Sequence, residues 1–441
     1  MSLIKEIGLQ IPQVLLPKSS IDLHIWAVIA CDQFTSQPEY WQEVAHIVGD
    51  APSTYHMILP EVFLETPEEE QRIQSTHTVM KDYLQSGIFT PFDGFIYVLR
   101  TVGEHTRRGL MVCLDLEHYD YTSGSQTLIR ATEGTIIDRL PPRIRIREKA
   151  HLECPHILVL FDDPNDTVFG PLDNQLDHFQ QVYDFDLMLD SGHLSGYAID
   201  DAQNQLQIIN SLRELIDPQA FASKYNLPEG QHQPLLFAMG DGNHSLATAK
   251  AIWEQLKPYV SMDHPARYAL VEIENVHDPA LTFEPIHRVL FDIKQDIVSA
   301  MRTYWGDQLV IKEAGTEYEL TAAVDKPSQQ CHQVGMVSPD GIKLIQVHHP
   351  GDNLAVGTLQ KFLDDFIEAD GAEKIDYVHG TDVLFNIGKQ ASNSGFYVPG
   401  IEKSDLFKTV ILDGALPRKT FSMGAAKEKR FYMESRRITP K

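Results

Sequence analysis

The chain has 441 residues, of which 43% are hydrophobic and 22% charged, and its formal net charge is −25. This length can hold two or three domains with sizeable cores. Nucleic acid and anionic membranes repel so acidic a surface, and we therefore expect neither as a partner. The charge leaves open a small anionic ligand, bound where cations are concentrated.

Targeting signals are missing from the sequence. No apolar run reaches the length of a membrane span, and the N-terminus lacks the basic start and apolar core of a signal peptide. The four cysteines lie far apart and form no Cys-x-x-Cys pair, a pattern that favours reduced thiols over a disulfide framework. The sequence therefore predicts a cytoplasmic protein.

Hydrophobic periodicity predicts helices and strands along the whole chain, which indicates an α+β (mixed α/β) fold. The predicted strands are 25–31, 95–100, 111–116, 157–161, 235–239 and 269–276. The predicted helices are 67–84, 206–216, 243–256 and 359–369. Loop-like stretches at 162–166 and 223–234 suggest an N-terminal unit (1–160), a central unit (161–300) and a C-terminal unit (301–441). The alternative is one continuous α+β body.

The first predicted strand ends in polar residues. Asp32 and Gln33 follow Cys31, and strand ends of this kind often line clefts, but their role stays open. The spacing of Ser36 and Glu39 fits a capping box, and we interpret Ser36 as the cap of a helix that starts near Pro38.

Residues 130–147 concentrate cations in an otherwise acidic chain. Arg143, Arg145 and Arg147 alternate with isoleucines, and on a strand this spacing places all three guanidinium groups on one face. Such a face could bind phosphate. We favour an edge strand whose arginines pair with the abundant carboxylates. The more promising site candidates in this segment surround Gly134: Glu133, Thr135, Asp138 and Arg139.

The most informative pattern is the turn at residues 240–245. An apolar run ends at Gly240, Asp241 and Gly242, and apolar residues then recur at helical spacing from Asn243 onward. A helix start presents unpaired N–H groups and a partial positive charge, and the glycines could let a phosphate or carboxylate approach the backbone. Asp241 and His244 are the acid–base candidates. In the structural alternative, Asp241 only caps the helix.

A basic segment follows near the C-terminus. Arg418, Lys419, Thr420 and Ser422 lie between a proline and a glycine, in a loop that could present cations and hydroxyls to a phosphate. The alternative is a basic segment that balances acidic neighbours. No spacing of histidines or cysteines is typical of a metal site, and no metal ligand is assigned.

Taken together, these motifs resemble a bacterial family known as domain of unknown function 1015. The resemblance rests on the Gly-Asp-Gly-Asn-His-Ser turn, the 133–139 segment, residues 285–288 and residues 416–422. The family's central turn, usually Asp-Gly-His-His-Arg, is similar to that of the ParB/sulfiredoxin-like superfamily. That superfamily includes chromosome-partition proteins, sulfiredoxin and kinases of free serine, and its turn and following helix hold nucleotide phosphates.

The resemblance implies a ParB/sulfiredoxin-like central core with N- and C-terminal elaborations. Asp241 and Gly242 match the motif, and His244 matches its second histidine. Asn243 stands where the first histidine is usual, and Ser245 stands where the phosphate-contacting arginine is usual. Gly240, Gly242, Asn243, Ser245, Arg139, Arg418, Lys419 and Thr420 then become the candidate nucleotide-binding residues.

The first functional hypothesis is phosphoryl transfer from ATP or ADP with Mg²⁺ to a small molecule such as free serine. Asp241, His244 and Glu133 would be catalytic, and Arg139 and Lys419 would stabilise the transferring charge. The second is a nucleotide- or small-anion-binding regulatory protein without turnover, which Ser245 in place of the arginine favours. A redox activity like that of sulfiredoxin ranks last, because no cysteine lies near Asp241 in sequence.

Overall fold

The computed structural model describes residues 2–134, 140–228, 230, 232–328 and 330–440. The helices are α1 (Ser2–Glu6), α2 (Leu23–Trp26), α3 (Pro38–Val48), α4 (Glu69–Ser86), α5 (Leu140–Arg147), α6 (Gly170–Asp173), α7 (Ala202–Glu214), α8 (Pro218–Tyr225), α9 (Asn243–Leu256), α10 (Ile297–Trp305), α11 (Glu317–Val324), α12 (Ala355–Glu368), α13 (Thr381–Gly388) and α14 (Lys403–Asp413). None of these helices is long and apolar enough to cross a membrane.

The strands alternate with the helices along the chain, and the α+β prediction is confirmed. They are β1 (Leu9–Gln10), β2 (Gln13–Pro17), β3 (Val28–Ile29), β4 (Phe89–Asp93), β5 (Phe95–Val102), β6 (His105–Asp115), β7 (Tyr119–Asp120), β8 (Ile129–Arg130), β9 (Leu152–Glu153), β10 (Leu158–Phe161), β11 (Gln181–Asp186), β12 (His193–Ile199), β13 (Phe237–Asp241), β14 (Tyr268–Asn275), β15 (Phe283–Pro285), β16 (His287–Ile293), β17 (Leu309–Glu313), β18 (Cys331–Ser338), β19 (Gly341–His348), β20 (Ala372–Val378), β21 (Ser394–Tyr397), β22 (Phe421–Met423), β23 (Phe431–Tyr432) and β24 (Arg436–Arg437).

The chain forms two compact units. The large unit runs up to Leu281 and resumes at Met423, and the small unit comprises Thr282–Ser422. This division differs from the boundaries predicted near residues 160 and 300. A boundary at 160 would cut through β10, which pairs with β13 on one side and β14 on the other. The C-terminal residues do not form a unit with 301–422, because β23 pairs with β3 and β24 with β9.

The large unit is built on a mixed sheet in the order β11-β12-β5-β6-β14-β10-β13-β8-β7. Side chains alternate between the two faces of a strand, and both faces of this sheet are buried. On β5, Tyr97 packs into one core and Ile96 into the other. Helix α9 covers the first face through Leu246, Ala249 and Trp253, all at most 1% exposed. The predicted helix 243–256 is confirmed, and of its predicted apolar stripe only Leu256 is not fully buried.

The small unit contains an antiparallel sheet in the order β17-β19-β18-β21-β16-β20. One face packs against α12 through Leu359 and Phe362, and the other against α13 through Leu384 and Phe385. Each helix thus buries one apolar stripe against the sheet, as a two-faced sheet requires.

Two local predictions near the N-terminus are wrong. The strand expected at 25–31 is split, because Asp22 caps α2 by accepting a hydrogen bond from the His24 N–H at 2.9 Å, and only β3 follows. Helix α3 does begin at Pro38, but its N-cap is Gln37 and makes no side-chain cap, so Ser36 does not form the predicted capping box.

Candidate active site

The turn between β13 and α9 has the geometry that the sequence indicated. Gly242 is the N-cap of α9 and adopts φ 79°, a left-handed conformation that favours glycine. Because glycine has no side chain, the N-cap residue makes no hydrogen bond to the free N–H groups at the start of α9. Asp241 Oδ1 accepts a hydrogen bond from the Gly242 N–H at 2.9 Å. Asp241 therefore stabilises the turn instead of capping α9.

The two glycines of the turn are needed by the fold itself. A Cβ on Gly240 would lie 2.6 Å from Met423 Sδ, and a Cβ on Gly242 would lie 3.1 Å from Ile157 Cγ1. Protein atoms occupy the space on those sides, where the sequence suggested that a ligand would approach the backbone. Asp241 and the first residues of α9, 243–245, are half-buried, so this part of the turn is reached by solvent.

Asp241 pairs with Lys429, and the two side chains are 24% and 11% exposed. The distance from Lys429 Nζ to Asp241 Oδ2 is 3.0 Å. Burial raises the pKa of Asp241, but the charge and hydrogen bond of Lys429, together with His156 and the Gly242 N–H, outweigh it and hold the pKa below its usual value. Asp241 is consequently an anion at neutral pH.

The structure also brings Glu133 to this edge of the sheet. Strand β8 runs parallel to β13, and beyond it the Thr132 hydroxyl donates to the Met239 carbonyl at 2.7 Å. Glu133 is the next residue along the chain, so it lies beside the end of β13, where Asp241 is. Thr135, Asp138 and Arg139 lie outside the described residues.

A hydrogen-bonded chain of side chains starts in the first turn of α9. Ser245 Oγ lies 3.0 Å from His156 Nε2, and His156 Nδ1 lies 2.9 Å from the Tyr432 hydroxyl oxygen. That oxygen also accepts the Cys31 N–H at 3.0 Å. Ser245 is therefore hydrogen-bonded to an imidazole.

The same side chains line a cavity of about 130 Å³ within the large unit. Most of its wall is apolar and includes Met57, Leu59 and Leu270. Its polar lining is made of these side chains: Cys31, Glu61, Arg143, Arg147, Glu153, Cys154, His156, Ser245, Thr248 and Tyr432. Arg143 donates a charge-assisted hydrogen bond to Glu61. Burial raises the pKa of Glu61, while Arg143 opposes that shift. The cavity therefore combines an apolar body with two ion pairs, Arg143–Glu61 and Arg147–Glu153, and one Ser–His pair.

The arginine segment is helical, and its prediction as an edge strand is wrong. Residues 140–147 form α5, which packs against α9. The predicted pairing with carboxylates does hold, because each arginine has its own partner: Arg143 with Glu61, Arg145 with Glu69 and Arg147 with Glu153. Helical spacing places Arg143 and Arg147, four residues apart, on one face of α5 and Arg145 on the other.

The remaining predicted residues fall in two places. Asn243 and His244 lie in the first turn of α9, and the Asn243 Oδ1 atom is buried with no hydrogen-bond partner among the described residues. Arg418, Lys419 and Thr420 belong to the small unit. There Arg418 binds the Tyr377 hydroxyl and Asp364, and the Thr420 hydroxyl donates to the Pro417 carbonyl at 2.6 Å. They are not part of the site described within the large unit.

Sequence reasoning missed Lys429, His156, Tyr432 and Glu61. Each is contributed by a segment remote from the turn, and no local spacing connects them. The basic stretch near the C-terminus runs from Leu416 to Arg430 and includes Lys429, so the positive charge of that stretch was the one signal in the sequence. Cys31 is remote from Asp241 in sequence, but the fold brings it to Tyr432 and so to the chain of hydrogen bonds that ends at Ser245. Burial raises the pKa of its thiol, which makes it a poor nucleophile and disfavours redox chemistry.

Comparison with known proteins gives one clear match and several remote ones. The profile of a family described as protein of unknown function (DUF1015) matches residues 14–366. No curated protein sequence matches the chain.

Solved structures resemble the chain only distantly. A free serine kinase mutant in complex with AMP is 10% identical with a TM-score of 0.39, covering 75% of this chain and 91% of the other. A free serine kinase mutant in complex with ADP is 9% identical with a TM-score of 0.39, and the match covers 75% of this chain and 92% of the other. A conserved hypothetical protein from Pyrococcus furiosus is 10% identical with a TM-score of 0.36, covering 75% and 95%. At these TM-scores the likenesses assign no role to any residue of this chain.

Proposed function

The chain belongs to the DUF1015 family, and we propose that it transfers a phosphoryl group from a nucleotide to a small molecule such as free serine. The observation that carries the proposal is the Asp241–Lys429 pair beside the first turn of α9. A helix start attracts phosphate through its N–H groups and its dipole. An anionic carboxylate and a lysine beside that position supply the charges that phosphoryl transfer uses.

Asp241, the first residues of α9 and Lys429 have distinct roles in this proposal. The first turn of α9, at Asn243 and His244, would hold the donor phosphate, and the ammonium of Lys429 would neutralise charge that develops during transfer. Lys429 takes the role that sequence analysis proposed for Lys419. Asp241 or Glu133 would orient the acceptor hydroxyl. The strand, glycine turn and helix would correspond to the ParB/sulfiredoxin-like core, with Arg139 as the candidate substitute for the motif's arginine.

Magnesium fits this site as a partner of the nucleotide. No three His, Cys, Asp or Glu side chains cluster as a metal site in the described part of the chain. Mg²⁺ is commonly held by one or two carboxylates together with substrate phosphates, and Asp241 and Glu133 are the carboxylates available at this edge. The ion would supply charge neutralisation at the phosphates.

The neighbouring cavity is the place for the acceptor. Ser245 belongs both to the first turn of α9 and to the cavity wall, so the two sites adjoin. Glu61 and Arg143 carry opposite charges that match the ammonium and carboxylate groups of a free amino acid. To bind the amino acid, Glu61 and Arg143 would have to break their ion pair and form new ion pairs with the ligand. Its volume of about 130 Å³ is close to that of a cavity of about 150 Å³ that holds benzene, so it admits a molecule of serine's size.

A nucleotide-binding assay with matched variants tests this function. Calorimetric titration with ATP, ADP, CTP and phosphate, each with and without Mg²⁺, identifies the donor, and phosphate transfer to serine and related hydroxy compounds is then followed. We expect Lys429→Met to weaken nucleotide binding at least tenfold, about 1.4 kcal/mol, and Lys427→Met, an exposed lysine two residues away, to leave it unchanged. Asp241→Asn should abolish transfer while binding changes less than tenfold, with Asp263→Asn as the exposed control.

The outcomes separate the alternatives. Nucleotide binding without any phosphorylated product would point instead to a regulatory protein. If no nucleotide binds under any condition, or if Lys427→Met and Lys429→Met weaken binding equally, the phosphotransferase proposal is wrong.

A further inference from the structure

The hydrogen bonds between Tyr432 and Ser245 run in one direction. The Tyr432 hydroxyl receives the Cys31 N–H at 3.0 Å, and its one acceptor among the described residues is His156 Nδ1 at 2.9 Å. A neutral imidazole that accepts at Nδ1 carries its proton on Nε2. Nε2 therefore donates to Ser245 Oγ at 3.0 Å, and no described residue accepts the hydroxyl proton of Ser245. That proton is left for an oxygen atom of a ligand in the cavity that Ser245 lines.

The polar residues of the cavity wall follow one another as a connected strip. Glu61 donates its backbone N–H to the Cys31 carbonyl at 2.8 Å, and Cys31 in turn bonds to Tyr432. The polar strip, as we call it, consists in this order of Glu61, Cys31, Tyr432, His156 and Ser245. It ends at Ser245 in the first turn of α9 and begins at Glu61, which pairs with Arg143. A ligand along the strip meets a hydroxyl donor at one end and a carboxylate–guanidinium pair at the other.

One apolar residue of the cavity wall lies at the Ser245 end of the polar strip. Ile157 follows His156 in the chain, lines the cavity and is 5% exposed. A Cβ on Gly242, the N-cap of α9, would lie 3.1 Å from Ile157 Cγ1, and the Ser245 N–H donates to the Gly242 carbonyl at 3.0 Å. A ligand whose hydroxyl lies at Ser245 therefore has apolar surface beside the carbon atom that carries this hydroxyl.

Serine leaves this apolar surface uncovered. Its hydroxyl-bearing carbon is a plain methylene, whereas the same carbon of threonine carries an additional methyl group. Burying one more such group lowers the Kd about fourfold, the equivalent of about 0.8 kcal/mol. The cavity volume of about 130 Å³ limits the size of the substituent, because a cavity of about 150 Å³ is filled by a benzene ring.

We propose that the acceptor is a β-hydroxy amino acid with a small apolar substituent on its hydroxyl-bearing carbon, such as threonine, and that Ile157 determines this preference. The inference rests on the phosphoryl transfer proposed above. The ammonium and carboxylate groups of the acceptor bind at Glu61 and Arg143. Its hydroxyl oxygen accepts a hydrogen bond from Ser245, which positions it at the start of α9, and its substituent packs against Ile157.

The reaction of this acceptor is the transfer of one phosphoryl group. The hydroxyl oxygen bonds to the terminal phosphorus of the nucleotide, and the bond from that phosphorus to the bridging oxygen breaks. The hydroxyl proton passes to Asp241 or Glu133 and from there to water. The products are the O-phosphorylated amino acid, the nucleotide shortened by one phosphate and a proton.

A series of ligands on the unaltered protein tests the preference. L-Serine, L-threonine, L-allo-threonine and L-3-phenylserine are titrated calorimetrically into the intact chain without nucleotide. Threonine and allo-threonine differ only in the side of the carbon atom that bears the methyl group, and we expect one of them to bind about fourfold more tightly than serine. We expect 3-phenylserine not to bind, because its ring alone fills a cavity of this size.

A matched pair of variants tests Ile157. Ile157→Thr keeps a branched side chain but makes it polar, and it should reduce the preference over serine to less than twofold. Ile11→Thr, at an exposed isoleucine, should leave the fourfold preference unchanged. A circular dichroism spectrum shows whether each variant is folded, and if Ile157→Thr does not fold, the series on the unaltered protein still decides the preference.

The outcomes for the acceptor and for phosphoryl transfer can be told apart. The acceptor proposal is overturned if neither threonine nor allo-threonine binds more tightly than serine, or if folded Ile157→Thr keeps the full preference. Preferential binding of threonine without any phosphorylated product supports the assignment of the cavity and refutes only the transfer. Serine that is phosphorylated with a higher kcat/KM than both threonine isomers refutes only the acceptor assignment.

Discussion

Glu274 should make the large unit less stable as the pH rises. It lies on β14 and is fully buried beside Arg107, whose Nε atom is 2.7 Å from Glu274 Oε1. That contact is not aligned as a hydrogen bond, and neither carboxylate oxygen receives one from the described residues. Burial, which the charge of Arg107 only partly offsets, raises the pKa of Glu274 from 4.5 to about 7.

The size of the effect follows from that change in pKa. Because the folded state holds this proton more tightly than the unfolded chain, its contribution to stability is complete below pH 4.5 and is lost as the pH rises through 7. A shift from 4.5 to about 7 corresponds to about 3 kcal/mol in total. Between pH 5.5 and 8.5 the loss is about 2 kcal/mol.

Glu274→Gln should remove this pH dependence. Urea unfolding at pH 5.5 and 8.5 is followed by tryptophan fluorescence, which reports mainly on the large unit because Trp26, Trp41 and Trp253 lie there. Between pH 5.5 and pH 8.5, we expect the free energy of unfolding of the unaltered protein to fall by about 2 kcal/mol more than that of the Glu274→Gln variant. Glu104→Gln, at an exposed position, should change nothing. Parallel losses in the unaltered protein and the Glu274→Gln variant would refute a raised pKa and show that Arg107 keeps Glu274 ionised.

Two further substitutions test how the turn and the C-terminal segment are held. Gly242→Ala should lower the free energy of unfolding by about 2–5 kcal/mol, because alanine is strained at the left-handed φ and its Cβ would contact Ile157. Gly103→Ala should lower it by only about 1–2 kcal/mol, because Gly103 also has a positive φ but no described atom lies within 4 Å of an added Cβ. If both variants lower the denaturation midpoint equally, the contact with Ile157 contributes nothing. Arg430→Met should destabilise the large unit by about 3–5 kcal/mol, because it leaves the buried Glu272 carboxylate without its cation, and a change below 1 kcal/mol in urea unfolding would contradict this.

The strongest sequence prediction concerned an element whose signal is local. The sequence predicts a helix at 243–256, because a glycine turn and a 3.6-residue apolar repeat identify such a helix without reference to the rest of the chain. Three members of that repeat, Leu246, Ala249 and Trp253, are buried, and Leu256 is partly exposed. The arginine segment shows the opposite case. Alternating Arg and Ile fits a strand, yet the segment is α5, where packing against α9 overrides the local pattern.

The sequence by itself determined the α+β class, the family resemblance and the turn at Asp241 and Gly242, since each depends on neighbouring residues or on composition. Only the tertiary structure brought Lys429 to Asp241 and His156 to Ser245. Long-range pairing of β23 with β3 returns the C-terminal segment to the large unit, and no local periodicity encodes that contact. Buried charges need partners, and the chain supplies them from segments nearly two hundred residues away.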